Sequence, residues 1–251
     1  MEVINSISSW RKLGTKLKNE SIGFVPTMGN LHAGHESLIV RAKNENDSCV
    51  LSIFINPTQF NDKSDYENYP KTLEHDLKIA KELGVDYVFA PPVHEMYPDD
   101  FHFKITEDNI STILEGKCRP GHFNGMLTVV MKLFCIIKPQ RAYFGEKDYQ
   151  QLKLVQDLVK AFFLDIEIIP CSTVRANNGL ALSSRNTLLT QEQLNLASLL
   201  NSVLISCKDE QKAKTHLEQS GFLVEYLQKW DGRLLAAVKI GKIRLIDNVA
   251  I

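Results

Sequence analysis

The tightest constraint in this chain is an alternation: short β-rich apolar runs are each followed by a longer stretch with apolar residues three and four apart. Runs at 22–26, 50–55, 86–90, 141–144 and 165–169 read as buried strands, and 35–46, 72–83, 125–137 and 149–163 read as amphipathic helices. Repetition of this kind produces parallel strands joined by crossover helices. The expectation is an α/β protein built on a Rossmann-like, doubly wound parallel sheet. After about Thr173 the alternation stops. A polar loop, a helix near 191–206 and late strands around 239–243 predict a second, smaller α+β C-terminal domain, with the division at 1–175 and 176–251.

Length agrees, because 251 residues suits one large and one small domain. With 44% hydrophobic and 24% charged residues the chain can bury a sizeable core. A formal net charge of -1 and the lack of a long basic run give no electrostatic footprint for nucleic acid. Five cysteines, widely spaced and without a C-x-x-C pair, suggest neither a disulfide framework nor a zinc site. The first residues lack the basic stretch and apolar core of a signal peptide, and no apolar run approaches the roughly 20 residues that span a bilayer. The expectation is a cytoplasmic protein with no membrane partner.

Five loops carry chemistry. Val25-Pro26-Thr27-Met28-Gly29-Asn30-Leu31-His32-Ala33-Gly34-His35 joins the first strand to the first helix, where open α/β sheets bind ligands. Its glycines permit close backbone approach, and the following helix offers free N–H groups to phosphate. His32 and His35, three apart, can donate to phosphate oxygens and stabilise charge during attack on an α-phosphate. Asn56-Pro57-Thr58-Gln59-Phe60 follows the second strand, and Leu114-Glu115-Gly116-Lys117-Cys118-Arg119-Pro120-Gly121-His122-Phe123 precedes an apolar helix. Gly145-Glu146-Lys147-Asp148-Tyr149-Gln150-Gln151 ends another strand, and Gly179-Leu180-Ala181-Leu182-Ser183-Ser184-Arg185-Asn186 lies beyond the sheet. Taken singly, each is also what an ordinary glycine, proline or serine turn looks like, and Asp148 by its place reads as a helix cap.

In this order and spacing, across roughly residues 22 to 188, the loops resemble the pantothenate synthetase family of the H-x-G-H nucleotidyl-transferase and class I synthetase superfamily. The matching strings are P-T-M-G-x-L-H-x-G-H, N-P-x-Q-F, L-E-G-x-x-R-P-G-H-F, G-x-K-D-x-Q-Q and G-L-A-x-S-S-R-N. The resemblance implies an ATP-dependent ligase that condenses (R)-pantoate with β-alanine through a pantoyl adenylate, with ATP as substrate, Mg2+ as its metal and a homodimeric assembly. It places ATP against Met28, Gly29, Asn30, Leu31, His32, Ala33, Gly34, His35, Gly145, Glu146, Lys147, Asp148, Val174, Leu182, Ser183, Ser184 and Arg185. It places pantoate between Gln59 and Gln151, with Arg119 and His122 in support. His32, His35, Lys147 and Arg185 are the implied catalytic set; the metal's ligands stay unassigned. An ammonium at Lys147 offsets phosphate repulsion, and hydroxyls with a guanidinium suit departing pyrophosphate. The family's usual label for His35 is proton donor, whereas with pantoate already ionised the chemistry favours charge stabilisation by both histidines. The resemblance also makes 1–175 the ATP- and pantoate-binding domain and 176–251 a lid.

Several positions depart from the family pattern. Asn30 stands where alanine is usual, Leu182 where methionine is common, and Ala176 and Asn178 where acidic residues are frequent. The part from about Thr190 onward reads as shorter than the family's second domain, although Leu245-Ile246-Asp247-Asn248 resembles its R-L-L-D-N ending. Two other readings remain at this point. A nucleotidyl transferase acting on a phosphate would share H-x-G-H without needing both Gln59 and Gln151, and a nucleotide binder without turnover would not need the whole charge-stabilising set.

Overall fold

The computed structural model describes residues 1–251. The chain forms two compact units, one comprising 1–31, 35–145 and 150–171, the other 32–34, 146–149 and 172–251.

The first unit holds a six-stranded sheet of β1 (Glu2–Ile4), β2 (Ile22–Thr27), β3 (Ser48–Ile53), β4 (Tyr87–Phe89), β5 (Arg141–Gly145) and β6 (Glu167–Cys171). Its order is β1-β4-β3-β2-β5-β6 and every pairing is parallel. The helices in this part of the chain are α1 (Ile7–Gly14), α2 (Ala33–Glu45), α4 (Leu73–Glu82), α7 (His122–Ile137) and α8 (Tyr149–Ala161), with short turns α3 (Lys63–Glu67), α5 (Val93–Met96) and α6 (Leu114–Cys118). Phe24, Val25, Val50, Leu51, Val88, Phe89, Ala142 and Tyr143 have no exposed surface. A sheet covered on both faces produces the continuous apolar runs seen in the sequence. Beyond β2 the chain first builds toward β1 and then crosses to β5. The carboxyl ends of β2 and β5 therefore flank the switch point where such sheets take ligands.

Each predicted strand and helix of this unit is present, with ends moved by a few residues. β6 begins and ends two residues later than expected, running through Pro170, which a parallel edge strand tolerates because one side of the edge needs no N–H. β1 and α1 were not anticipated, being too short to show periodicity. Trp10 anchors α1, its ring centroid 6.3 Å from Tyr87 and 6.0 Å from Phe89.

The second unit contains α9 (Gln191–Ala197), α10 (Leu199–Ser206), α11 (Glu210–Gln219) and an antiparallel sheet β7 (Leu223–Trp230), β8 (Arg233–Ile240) and β9 (Ile243–Ala250). The expected single helix over 191–206 is thus two, parted at Ser198. The strands expected around 239–243 are present as β8 and β9, each eight residues long and joined by a turn at Gly241-Lys242. Leu200, Leu204, Leu217, Leu234, Ala236 and Val238 make this unit's own core. Between β7 and β8, Asp231 and Gly232 have φ of +50° and +73°, the paired positive angles of a tight hairpin turn.

Candidate active site

In the first unit, the loop after β2 is held from behind by one buried carboxylate. Asp76, on α4 and fully buried, accepts from the backbone N–H of Asn30 at 3.0 Å and of Leu31 at 2.8 Å. Thr72 Oγ1 accepts from Asn30 N–H at 3.1 Å and donates to Asp76 at 3.0 Å. Thr27 Oγ1 accepts from Gly29 N–H at 3.2 Å while donating to the Ser52 carbonyl at 2.7 Å. A side chain at Gly29 would meet Asp76 Oδ2 at 2.9 Å, and φ there is +83°. Asn30 follows at φ +52°, a conformation asparagine adopts more readily than alanine, which accounts for that departure. These N–H groups are spent on Thr27, Thr72 and Asp76, so the loop itself is shaped by protein contacts. Met28 stays half-buried, and His35 stands half-buried in the first turn of α2.

Gln59 ends a single turn, Pro57–Gln59, at the end of β3. Its side-chain Oε1 accepts from Asn56 Nδ2 at 3.0 Å, and its backbone carbonyl accepts from His122 Nδ1 at 2.8 Å and Arg119 Nη2 at 3.4 Å. Because that carbonyl can only accept, His122 carries its proton on Nδ1 and takes Arg119 Nη1 on Nε2 at 3.2 Å. Asn56 Oδ1 accepts from Tyr97 OH at 2.6 Å. The amide nitrogen of Gln59 is thereby oriented as a donor. Of the two glutamines opening α8, Gln150 is structural: buried, it accepts from Glu115 N–H at 3.0 Å and donates to the carbonyls of Ile110 and Ile113 at 2.6 and 2.9 Å. Gln151, its neighbour, is half-exposed.

In the second unit, His32 folds back on its own turn. Gly34 N–H donates to His32 Nδ1 at 3.1 Å, which puts the ring proton on Nε2. A methyl group on Gly34 would lie 2.8 Å from His32 Cε1, so this glycine exists to admit the ring. Burial first, then the Lys147 ammonium, push the His32 pKa below 6.5, with Asp148 opposing. His32 is therefore a neutral imidazole with Nε2–H as a donor. Lys147 Nζ lies 3.9 Å from Asp148 Oδ2, and Glu146 Oε2 lies 3.8 Å from Arg233 Nη1. Gly145, in the first unit, closes β5 just ahead of this turn. Val174 and Leu182 are joined by a hydrogen bond of 3.0 Å from Leu182 N–H, with Arg175 bridging Ala181 inside the same small hairpin. Ala176 and Asn178 form its exposed tip, where Asn178 Oδ1 accepts from Leu180 N–H at 3.2 Å, a bond aspartate would make equally well. Ser183 caps the turn Ser184–Leu188, its Oγ accepting from Arg185 N–H at 3.3 Å. Ala33 is exposed, and Gly34, Ser184 and Arg185 are half-buried. Asp76 lies outside every motif read from the sequence, and Asn56 and Gln150 lie inside two of them without any spacing that announces the groups they hold.

A family model for pantoate-beta-alanine ligase matches residues 2–250. The chain belongs to the pantoate–β-alanine ligase family. It is 52% identical over 248 residues to the pantothenate synthetase of Coxiella burnetii (strain RSA 331 / Henzerling II), covering 99% of this chain and 96% of that protein. Against the pantothenate synthetase of Legionella pneumophila (strain Corby) identity is 49% over 249 residues, with 99% of each chain covered. Among solved structures, the pantoate-beta-alanine ligase of Francisella tularensis, complexed with beta-gamma ATP and β-alanine, superposes with a TM-score of 0.95 at 45% identity, covering 100% of this chain and 97% of that one. Membership makes this chain an ATP-dependent ligase of pantoate and β-alanine.

Proposed function

We propose that this ligase works in two steps, an in-line displacement at the α-phosphorus of ATP and then acyl transfer from the resulting adenylate to an amine. The pantoate carboxylate, held by the Gln59 amide and by Gln151, attacks the α-phosphorus of MgATP; the bond to the β-phosphate breaks and pyrophosphate leaves. The β-alanine amine then attacks the acyl carbon of pantoyl adenylate, expelling AMP, losing a proton and leaving the amide. His32, His35, Lys147 and Arg185 stabilise the charge that grows on the phosphates, Ser183 and Ser184 hold the β- and γ-phosphates, and the backbone of Val174 and Leu182 meets adenine. The single observation that carries this assignment is the state of His32: a neutral ring, fixed by Gly34 N–H, whose Nε2–H is a preformed donor beside the Lys147 charge.

No group of three or more His, Cys, Asp or Glu side chains is arranged to hold an ion. Among the residues assigned to ATP, the hydroxyls of Ser183 and Ser184, the imidazoles of His32 and His35 and the cations Lys147 and Arg185 suit phosphate oxygens, and the carboxylates of Glu146 and Asp148 stand beside them. We assign Mg2+ to the nucleotide as MgATP, where it would neutralise phosphate charge. The same reading takes 1–175 as the ATP- and pantoate-binding domain, 176–251 as the lid, a homodimer as the assembly and the cytoplasm as the location.

The test is release of AMP and pyrophosphate from MgATP with pantoate, with and without β-alanine, in the wild type and in His35→Ala. Pantothenate formed only in the complete mixture, with AMP in equal amount and turnover lost in the variant, is the expected result. Bound ATP with no pantoate-dependent pyrophosphate would leave only a nucleotide binder.

A further inference from the structure

The Asp247-Asn248 pair has no part in the chemistry above, yet it touches two of the nucleotide-assigned segments. Asn248 is 2% exposed on β9, and its Oδ1 accepts from Arg233 Nε at 2.5 Å. That contact fixes the amide, so Nδ2 is the end that donates to the backbone carbonyls of Glu146 and Lys147, each at 3.0 Å. Two hydrogens of one nitrogen thus set two successive peptide planes, and with them the direction in which the Lys147 side chain leaves the turn. The turn is gripped elsewhere as well: Tyr149 OH donates to Asp231 Oδ2 at 2.7 Å, and Arg233 lies over the Tyr149 ring at 4.8 Å.

Adjacent residues on a strand point to opposite faces, and Asp247 serves the other segment. Its carboxylate, 3% exposed, accepts from Arg175 Nη1 and Nη2 at 2.7 and 2.9 Å. Arg175 also donates to the Gly179 carbonyl at 3.1 Å, tying the hairpin that carries Val174 and Leu182. Asp247 Oδ1 accepts Asn248 N–H at 2.8 Å, so both holds share one piece of backbone. We propose that Asn248, seated by Asp247 and Arg233, is a positioning residue that aims Lys147 at the nucleotide phosphates.

This inference rests on the assignment of Lys147 to those phosphates, and the experiment separates the two. Asn248→Asp keeps size and the acceptor for Arg233 but replaces both donors with oxygen facing two carbonyls. Pantoate-dependent exchange of pyrophosphate into ATP is measured for the wild type, N248D, K147A and the double variant, with the KM for β-alanine and the melting temperature as companions. A displaced charge costs roughly 10- to 100-fold in kcat for exchange, while the KM for β-alanine is expected to stay within about twofold of the wild-type value. If Asn248 acts through Lys147, N248D added to K147A should cost less than about twofold further. Exchange by N248D within twofold of wild type, or its full loss repeated in the K147A background, would overturn the inference. Wild-type exchange by K147A would sink the Lys147 assignment and the inference with it. Should N248D not fold, N248S, which retains one donor, is expected to show the same non-additivity with K147A at a smaller loss; additive losses would again overturn it.

Discussion

At the scale of single residues, Gly34 and His32 form a unit that the spacing H-x-G-H only hints at. Added to Gly34, a methyl group would fall 2.8 and 2.9 Å from two atoms of the His32 ring, so the ring must swing away. Gly34→Ala should therefore lower kcat for adenylate formation about 10- to 100-fold, since a shift near 1 Å has that order of effect. Folding should be spared, because both residues are half-buried; steady-state kinetics beside a thermal melt would check it. His32 also carries a pH signature. Its folded pKa lies below 6.5, so as pH falls below 6.5 the unfolded chain takes up a proton that the native chain does not, and stability declines. An NMR titration should place the His32 midpoint under 6.5, and K147A should raise it only partly, since burial is the larger cause and Lys147 the second. A midpoint above 6.5 would contradict the neutral donor on which the proposed chemistry depends.

At the scale of elements, α7 presents Gly125 to the turn that carries Gln59. A side chain there would meet the Thr58 carbonyl oxygen at 2.3 Å and the Gln59 nitrogen at 2.7 Å, with backbone on the receiving side and no flexible end to yield. Gly125→Ala is expected to cost about 1–3 kcal/mol in urea unfolding and to raise the KM for pantoate several-fold. An unchanged KM would separate Gln59 from pantoate. The helices and strands of the parallel sheet were legible because burial on both faces writes long apolar runs, as in Phe24, Val25, Val50 and Leu51. The loops were legible because glycines, histidines and serines fall at strand ends. Less was visible in the second unit: β8 is buried along nearly its whole length, so it shows no alternation and its Leu-Leu-Ala-Ala run does not look like a strand. Asp231-Gly232 was the available signal, since paired positive φ angles in a two-residue turn favour that dipeptide. Asp76 left no such trace, and Asn248, though part of a family-like ending, gave no sign of what it holds, because a buried side chain holding distant backbone depends on contacts 46 and 101–102 residues away in sequence.

At the scale of the whole molecule, the residues assigned to ATP are drawn from both compact units: Gly29–Leu31, His35 and Gly145 from the first, and His32, Lys147 and Ser183–Arg185 from the second. The chain's two tryptophans are divided in the same way, Trp10 in the first unit and Trp230 in the second. Trp10 is 1% exposed, and Trp230 stacks edge-on against Tyr149 at 6.0 Å, so each fluorescence signal reports the unfolding of its own unit. Trp10→Phe and Trp230→Phe variants would isolate them. A ligand at 100 times its Kd stabilises what it binds by about 2.7 kcal/mol. That is a rise in melting temperature of roughly 5–10 °C for the larger first unit and about 10–20 °C for the smaller second one. With MgATP at saturation, the signal of each unit whose residues bind the nucleotide should therefore move upward, and K147A should shrink the shift in the Trp230 signal. A rise confined to the Trp10 signal would place the nucleotide on the parallel sheet alone and withdraw Lys147 and Ser183–Arg185 from its binding; a rise confined to Trp230 would withdraw the glycine loop and His35 instead.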